Sequence, residues 1–539
     1  MVPPTAPAAA RRPGRHSLGF RAGTLIVFCM LGFPSSLRAA AGDLDVSFGF
    51  FGKVLFSQTF ARIPIGLGLQ ENGKILAAAT SRGTGRTDFV LGRFAVNGAP
   101  DPSFGDAGLV TTDFRLTPFV DSLDNAGALA VQQDQRIVVG GTSNAINFLA
   151  LDFALARYNT DGTADTTFGF NGRILVSFAG IGSEDELRDL LIQPDDRILA
   201  AGFSDLGLRN VSDFAVARLN ADGFPDASFG QAGRVSTDVS GAGSLDRGNA
   251  LALQEDGRIL LAGTSNNDFA LVRYNPDGSL DTGFGSGGKK VIDVTGMGSA
   301  DTGSDVAVQP DGRIVMVGYS FAATPSSSRW DFTILRFNTD GTLDNSFGSG
   351  GRVVFDFTGS NGDDKAFAVA IQEDGKILVG GQDLRGDFAL ARLNPDGTLD
   401  GSFGLGGKVV TAFGSGTIDQ IMRMVLQPDR KILVGGTTSS RVAITRYLND
   451  PAPEELLEEL IVFTEGLAIL KGIETSLLSK LNHALEVLDP EEPGATCRFL
   501  RAFANQSSAL EGKMQLSEGA ADELLRRVGA IEDALACSG

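Results

Sequence analysis

The feature that most constrains this chain is a motif written seven times. The stretch Ile371 to Gly407, IQEDGKILVGGQDLRGDFALARLNPDGTLDGSFGLGG, has six further copies, and three separate anchors count them alike. An Asp-x-x-Phe-Gly element begins at Asp45, Asp101, Asp165, Asp226, Asp281, Asp344 and Asp400. A glutamine, followed by a turn, a basic residue and an apolar run, stands at Gln70, Gln132, Gln193, Gln254, Gln309, Gln372 and Gln427. The third anchor, Asp-Phe-x-x-x-Arg, ends at Arg93, Arg157, Arg218, Arg273, Arg336, Arg392 and Arg446. A period of 54 to 64 residues requires a supersecondary unit that stacks on its own copies, because one unit alone cannot bury its apolar faces.

The apolar runs within each unit have strand length. In the sixth unit they are Gly351 to Phe357 (A), Phe367 to Gln372 (B), Lys376 to Gly380 (C) and Phe388 to Leu393 (D), each too short for an ordinary helix. Glu373-Asp374-Gly375 separates B from C, and Pro310-Asp311-Gly312 does so in the fifth unit. Proline presets φ, aspartate bonds back to the backbone and glycine accepts positive φ, so the segment is a hairpin turn. Four antiparallel strands in each of seven units predict an all-β seven-bladed β-propeller over residues 43–448, with an open β-solenoid as the alternative.

The motifs LNPDGTLDGSFG (Leu393 to Gly404), QEDGKILVGG (Gln372 to Gly381) and DFALARLN (Asp387 to Asn394) resemble the delta-60 repeat of secreted and surface proteins of bacteria. The resemblance covers Asp43 to about Tyr447. It implies a fold, but no catalytic residues to carry over. Two units depart from it, the first with Arg62 in place of an aspartate and the last with Arg441-Val442 in place of Asp-Phe.

Ahead of the repeats, Arg11, Arg12, Arg15 and Arg21 precede the apolar run Leu25 to Phe33, then Pro34 and Ala39-Ala40-Ala41. A basic region, a short apolar run and an Ala-x-Ala site predict a secretory signal peptide over residues 1–41. The run is too short for a membrane span of about 20 residues. Arg11-Arg12 is a poor twin-arginine motif, and Phe28 is too bulky for lipidation at Cys29. The expected destination is extracellular or periplasmic. Losing that segment removes five arginines and no acids, taking the formal charge from −19 to −24. Such acidity disfavours nucleic acid and anionic membranes, and suits solubility, cations or basic partners.

The repeats contain neither cysteine nor histidine. Ser-His-Asp and Cys-His nucleophilic machinery therefore cannot be built from them, nor can histidine or thiolate zinc sites. Carboxylate chemistry remains, of the kind that needs two carboxyl groups roughly 5 to 9.5 Å apart. No sequence feature selects such a pair.

In a four-stranded antiparallel blade the B–C and D–A connections share one face, and the A–B and C–D connections share the other. The first set is nearly the same in all copies, while the second varies in length and content. Variable loops on a rigid scaffold are where recognition usually sits, so the A–B/C–D face is the candidate binding face. Its longest C–D loop, Tyr319 to Trp330, carries the sole tryptophan. Tyr319, Phe321 and Trp330 would stack on a sugar or anchor a partner, or serve only to pack the loop.

The same face carries two sets of aspartates. One stands eight residues before the strand B glutamine, at Asp124, Asp185, Asp246, Asp301, Asp364 and Asp419, and the other at the entrance to strand D, at Asp88, Asp152, Asp213, Asp268, Asp331 and Asp387. Rings of carboxylates could hold Ca²⁺ or a basic partner. Because the pattern repeats in each blade, the structural reading leads, in which each aspartate caps a turn through backbone N–H groups, and no cofactor is expected. On the opposite face, the strand D arginines, the strand C basic residues (Lys74, Arg136, Arg197, Arg258, Arg313, Lys376, Lys431) and the Asp-x-x-Phe-Gly aspartates predict ion pairs between blades. The turn Asn275 to Asp281 lacks the first and last ligands of a calcium loop, having Arg273 and Phe284 there, and reads as turn chemistry.

From Pro451 the composition changes to Leu, Ala and Glu with little glycine. Pro453-Glu454-Glu455 is a helix start. Helical spacing over about Glu454 to Leu470, Glu474 to Leu488, Ala495 to Leu510 and Ser517 to Ala536 predicts a small all-α bundle in residues 451–539. Cys497 and Cys537 are the only cysteines beyond the signal segment; in an oxidising compartment a disulfide between them is expected, the alternative being two buried thiols. His483, alone on its helix, reads as structural. The segments SLLSKLNHALEVL (Ser476 to Leu488), CRFLRAF (Cys497 to Phe503) and ALAC (Ala534 to Cys537) resemble the FIMAH-type helical module that ends many secreted bacterial proteins. Two classes of function follow. The leading one is a monomeric, secreted, non-enzymatic scaffold that binds a protein, glycan or cell-envelope component. The alternative is a carbohydrate-active enzyme with a carboxylate pair near the propeller channel.

Overall fold

The structure, a computed structural model, describes residues 41–537 except 56–64, 82–85, 116–121, 147–149, 179–182, 206–210, 242, 297–299, 325–326, 360–361, 415, 440, 450–452, 468, 490–492, 512–515 and 536. The expected signal segment, apart from Ala41, and Arg62 lie outside the described residues.

Among the described residues, twenty-eight strands form seven four-stranded antiparallel sheets. The sheets close into a ring. Seven hydrophobic clusters each join one sheet to the next, and one of them joins the last (Leu433, Val442, Ile444) to the first (Ile65, Leu67, Ile75). An open row of seven sheets would have only six such interfaces, so the molecule is a seven-bladed propeller and not a solenoid. C and D strands such as Ile137–Ser143 and Asp152–Tyr158 are buried along their whole length. This follows from their position: both faces of each blade pack on neighbours, which is why these runs are continuously apolar rather than alternating.

The blades are phased differently from the sequence units. Each sheet runs B–C–D and then takes strand A of the following unit as its outer edge, as in Asp185–Ile192, Ile198–Ser204, Asp213–Leu219 and Arg234–Thr237. The D–A linker is a tight turn that returns A alongside D, whereas A–B crosses to the next blade. The seventh sheet has no following unit. Its edge is the first strand of the chain, Lys53–Leu55, paired with Arg441–Tyr447. The closure is reinforced by Gly42 N–H to the Leu448 carbonyl at 2.7 Å and by Arg446 Nε to Asp45 at 2.8 Å.

Strand B is innermost in every blade, and B strands pack against each other around the axis. In six blades B carries a bulge, for instance between Leu187 and Asp189. The bulge presses the backbone of B onto C, and only glycine fits opposite: a Cβ on Gly202 would lie 1.8 Å from the Glu186 carbonyl oxygen. A β-bulge of this kind turns side chains out of the normal alternation.

The C-terminal part has four helices, α1 (Pro453–Glu465), α2 (Lys471–Glu486), α3 (Gly494–Glu511) and α4 (Glu518–Ala534). They share a core that includes Leu457, Leu460, Leu477, Leu481, Leu500, Phe503, Leu524 and Ile531. Cys497 and Cys537 form a disulfide. His483 is exposed, with its Nδ1 2.6 Å from the Ser479 carbonyl oxygen and its ring against Phe499. Among the described residues no helix is long and apolar enough to cross a membrane.

Candidate binding face and axial channel

On the face of the B–C and D–A turns, one network recurs in all seven blades. The strand D arginine donates through Nε to the Asp-x-x-Phe-Gly aspartate at 2.7–2.8 Å in the pairs Arg93–Asp101, Arg157–Asp165, Arg218–Asp226, Arg273–Asp281, Arg336–Asp344 and Arg446–Asp45, and Arg392 forms an ion pair with Asp400 at 2.8 Å. The guanidinium lies over the buried phenylalanine of the same motif, for example 4.4 Å above Phe104. The expected ion pairs between blades are thus pairs within a blade, because the tight D–A turn returns the aspartate beside its own arginine. What crosses to the next blade is a hydrogen bond to a backbone carbonyl, as from Arg93 to Thr160 and from Arg157 to Ala221. In the sixth blade, Arg392 instead reaches the Asn449 side chain at 2.8 Å. Hydrogen bonds to Ser402 and proximity to Arg392 and Lys376 hold the Asp400 carboxyl down at about 2 against the cost of its burial.

The opposite face carries the strand B aspartates. Asp124, Asp185, Asp246, Asp301, Asp364 and Asp419 are all fully buried. Each accepts the N–H of the residue that begins the A–B crossing from the previous blade, two positions past the end of strand A: Phe114, Phe178, Val239, Val294, Phe357 and Phe413, at 2.6–3.1 Å. Ser143 and Ser265, on strand C, donate to Asp124 and Asp246 at 2.6 Å. The carboxylate therefore clasps two blades and the crossing between them. Burial raises Asp124 and Asp185, and pushes Asp301 up to about 6 and Asp364 to about 7. The strand D aspartates sit beside them and are raised by burial in Asp152, Asp213, Asp268, Asp331 and Asp387.

A third aspartate, at the end of strand A, joins these two. In three blades the carboxylates of Asp88, Asp113 and Asp124, of Asp213, Asp238 and Asp246, and of Asp268, Asp293 and Asp301 have oxygens within 4.8 Å of one another. Such a set has the chemistry to hold a divalent cation. The protein also supplies cations of its own there. Arg173, Lys289, Arg352, Lys408 and Lys53, each from the start of an A strand, donate to carbonyls at the end of the preceding blade's A strand. Lys408 acts electrostatically on Asp356 and Asp364, and Lys53 on Asp387 and Asp419. The sequence reading missed this third residue. Its signal was the Asp-Phe or Asp-Val that ends strand A at Asp113, Asp238, Asp293 and Asp356.

Tyr319, Phe321 and Trp330 are not in a loop. Strands C and D of the fifth blade run on through them as an eleven-residue hairpin, Ile314–Thr324 against Ser327–Phe337, in which Phe321 is directly opposite Trp330. The cross-strand aromatic contacts extend the ladder: Trp330 lies edge-to-face with Tyr319 at 5.0 Å and against Phe321 at 5.2 Å. The Lys365 ammonium of the next blade lies 5.4 Å from the Tyr319 ring and 5.5 Å from Trp330.

The axis holds charges that the sequence reading did not select. Aligned on the strand C register, the position just after the bulge is occupied by Gly66, Ala128, Asp189, Ala250, Asp305, Ala368 and Arg423 in blades one to seven. Four small residues and three charges share one level of the channel. Asp189 leans toward blade four and accepts the Leu251 N–H at 2.8 Å; Asp305 leans toward blade six and accepts the Val369 N–H at 2.8 Å. Arg423, from blade seven, crosses the axis to blade three, donating to the Arg188 carbonyl at 3.0 Å and approaching Asp189 at 3.5 Å. Protein surrounds both carboxyls on every side, although part of each reaches channel water. Burial is the main cause that raises Asp189 and pushes Asp305 up to about 7, with Arg423 opposing and Asp189 adding to the rise at Asp305.

Ring, repeat and networks together define a β-propeller repeat protein. Seven segments, 70–104, 132–168, 193–229, 254–284, 309–347, 372–403 and 427–450, match the family described as a domain of unknown function (DUF5122) beta-propeller. No curated protein matches the chain. Among solved structures it is similar in fold to polysaccharide lyase Uly1, at 10% identity over 76% of this chain and 97% of that one with a TM-score of 0.40. It is also similar to Sqt1 from Chaetomium thermophilum, at 12% identity over 73% and 99% with a TM-score of 0.38. A glucose dehydrogenase matches at 14% identity over 59% and 94%, with a TM-score of 0.36.

Proposed function

We propose that this chain is an exported, non-enzymatic binding propeller that holds a protein, glycan or cell-envelope component on its A–B/C–D face. The observation that carries this reading is the extended hairpin of blade five, which places Tyr319, Phe321 and Trp330 beside Lys365 on the one face whose connections differ from blade to blade. Support for a scaffold role comes from the strand B carboxylates of Asp124 and Asp246, whose oxygens are taken up by backbone N–H and hydroxyl donors. The disulfide is compatible with an oxidising compartment. We read the repeats as delta-60-type and the tail as a FIMAH-type module.

The test is a glycan and protein array probed with the mature chain, with and without Ca²⁺, and repeated with Trp330→Ala. A partner retained by the native chain and lost by that variant is the expected result. A second reading, a carbohydrate-active enzyme, would use Asp189 and Asp305. Turnover of any glycan that Asp305→Asn abolishes would favour it over the first.

A further inference from the structure

One residue inside the variable-face end of strand B, the same C-strand register aligns Asn125, Glu186, Arg247, Thr302, Lys365 and Gln420 in blades two to seven. These residues stand on the innermost strands, at the mouth of the axial channel. Glu186 is neutralised by Arg188, 2.5 Å away. Among the described residues Arg247 and Lys365 make no ion pair; their contacts are with aromatic rings. Arg247 lies 5.5 Å from the Phe203 ring, which Arg188 also approaches at 5.4 Å, and Lys365 lies against Tyr319 and Trp330. A chain with 65 acidic and 46 basic residues thus keeps two cations without carboxylate partners at one mouth, each backed by aromatic surface and interspersed with amide and hydroxyl groups.

Deepening the binding reading above, on which it rests, we propose that the channel mouth binds an acidic saccharide chain, with Arg247 and Lys365 taking sugar carboxylates and Tyr319 and Trp330 packing on the sugar rings. Cations backed by aromatic rings are partly desolvated, which strengthens their pull on an anion. The Thr302 hydroxyl between the cations, and the Asn125 and Gln420 amides further around the ring, match sugar hydroxyls, which a chain of acidic residues does not offer. Burial raises the two axial carboxyls below, Asp189 and Asp305, and Arg423 lies 3.5 Å from Asp189 as a counter-charge.

Trp330 is the sole tryptophan, so its fluorescence reports on this site without labelling. The mature chain is titrated with an oligogalacturonate, with the same oligosaccharide methyl-esterified, with poly-glutamate and with an oligothymidylate. The proposal expects saturable binding of the oligogalacturonate, about tenfold or more weaker for the ester and for Arg247→Gln with Lys365→Gln together. It also expects loss of affinity with salt, partial rescue by Lys365→Arg, and unchanged melting temperatures in the variants. Equal binding of the ester, indifference to the double variant, or tighter binding of poly-glutamate or oligothymidylate overturns it. If the array yields a partner while no saccharide titrates, the saccharide proposal fails and the binding scaffold stands; if the array too is empty, both fail.

Discussion

Replacing Asp305 with asparagine should make the propeller more stable at pH 8 and leave it unchanged at about pH 4 and below. In the folded ring this carboxyl titrates at about 7 against an ordinary value of 3.8. The native state therefore binds the proton more tightly than the unfolded chain does. For a raised acid the sign is fixed: stability is greatest below about pH 4 and is lost as pH rises toward 7. Three pH units correspond to at most about 4 kcal/mol, and because Asp305 is only partly buried, solvent screening reduces this to roughly 1–3 kcal/mol. Asparagine keeps an oxygen for the Val369 N–H and never ionises. Other raised groups, Asp301 and Asp364 among them, give the native protein a slope of the same sign, so the informative quantity is the difference between variant and native at each pH. Urea midpoints or melting temperatures from pH 4 to 8 measure it, with a gain of a few degrees expected at pH 8. If the variant keeps the full native slope, or is the less stable protein at pH 8, the axial desolvation argument is wrong.

Arg392→Met should cost about 3 kcal/mol, because Asp400 is left buried with only the partly exposed Lys376 as counter-charge; a urea denaturation curve reads this, and the loss should shrink as pH falls toward 2, where Asp400 itself becomes neutral. Asp246→Ala strands the Val239 N–H and removes an acceptor from the Ser244 and Ser265 hydroxyls and should lower stability by about 2–4 kcal/mol, with the same loss in Ca²⁺ and in chelator. A calcium-dependent loss would instead assign that cluster to the ion. Cys497→Ser with Cys537→Ser releases a loop closed over a separation of 40 residues and should destabilise the helical part by about 4 kcal/mol. Helical circular dichroism should show that part melting earlier while the strand signal is unaffected.

The blades were legible in the sequence because what builds them is local. A Glu-Asp-Gly or Pro-Asp-Gly turn, a run such as Phe388–Leu393 and an arginine eight residues before its aspartate act within one unit, and seven copies reinforce the reading. The helices were legible for a similar reason: leucines at helical spacing mark a face whatever it packs on. The hairpin of blade five was misread as a loop because Ala322 to Ser328 has loop-like composition, while its pairing comes from rings across the strand.

Long-range geometry decided the rest. That strand A serves the preceding blade, and that Lys53–Leu55 completes the seventh, depends on where the chain returns after a full circuit, and no local propensity records this. The aspartates Asp113, Asp238 and Asp293 acquire meaning only when an A–B crossing brings them beside carboxyls of the next blade. At the axis, Asp189 and Arg423 are 234 residues apart; they meet because a seven-fold ring sets the blade-three and blade-seven strands across a narrow channel, and the bulge turns their side chains into it. Composition along the chain determines which sheets form; closure of the ring determines which charges must share a small, poorly hydrated space.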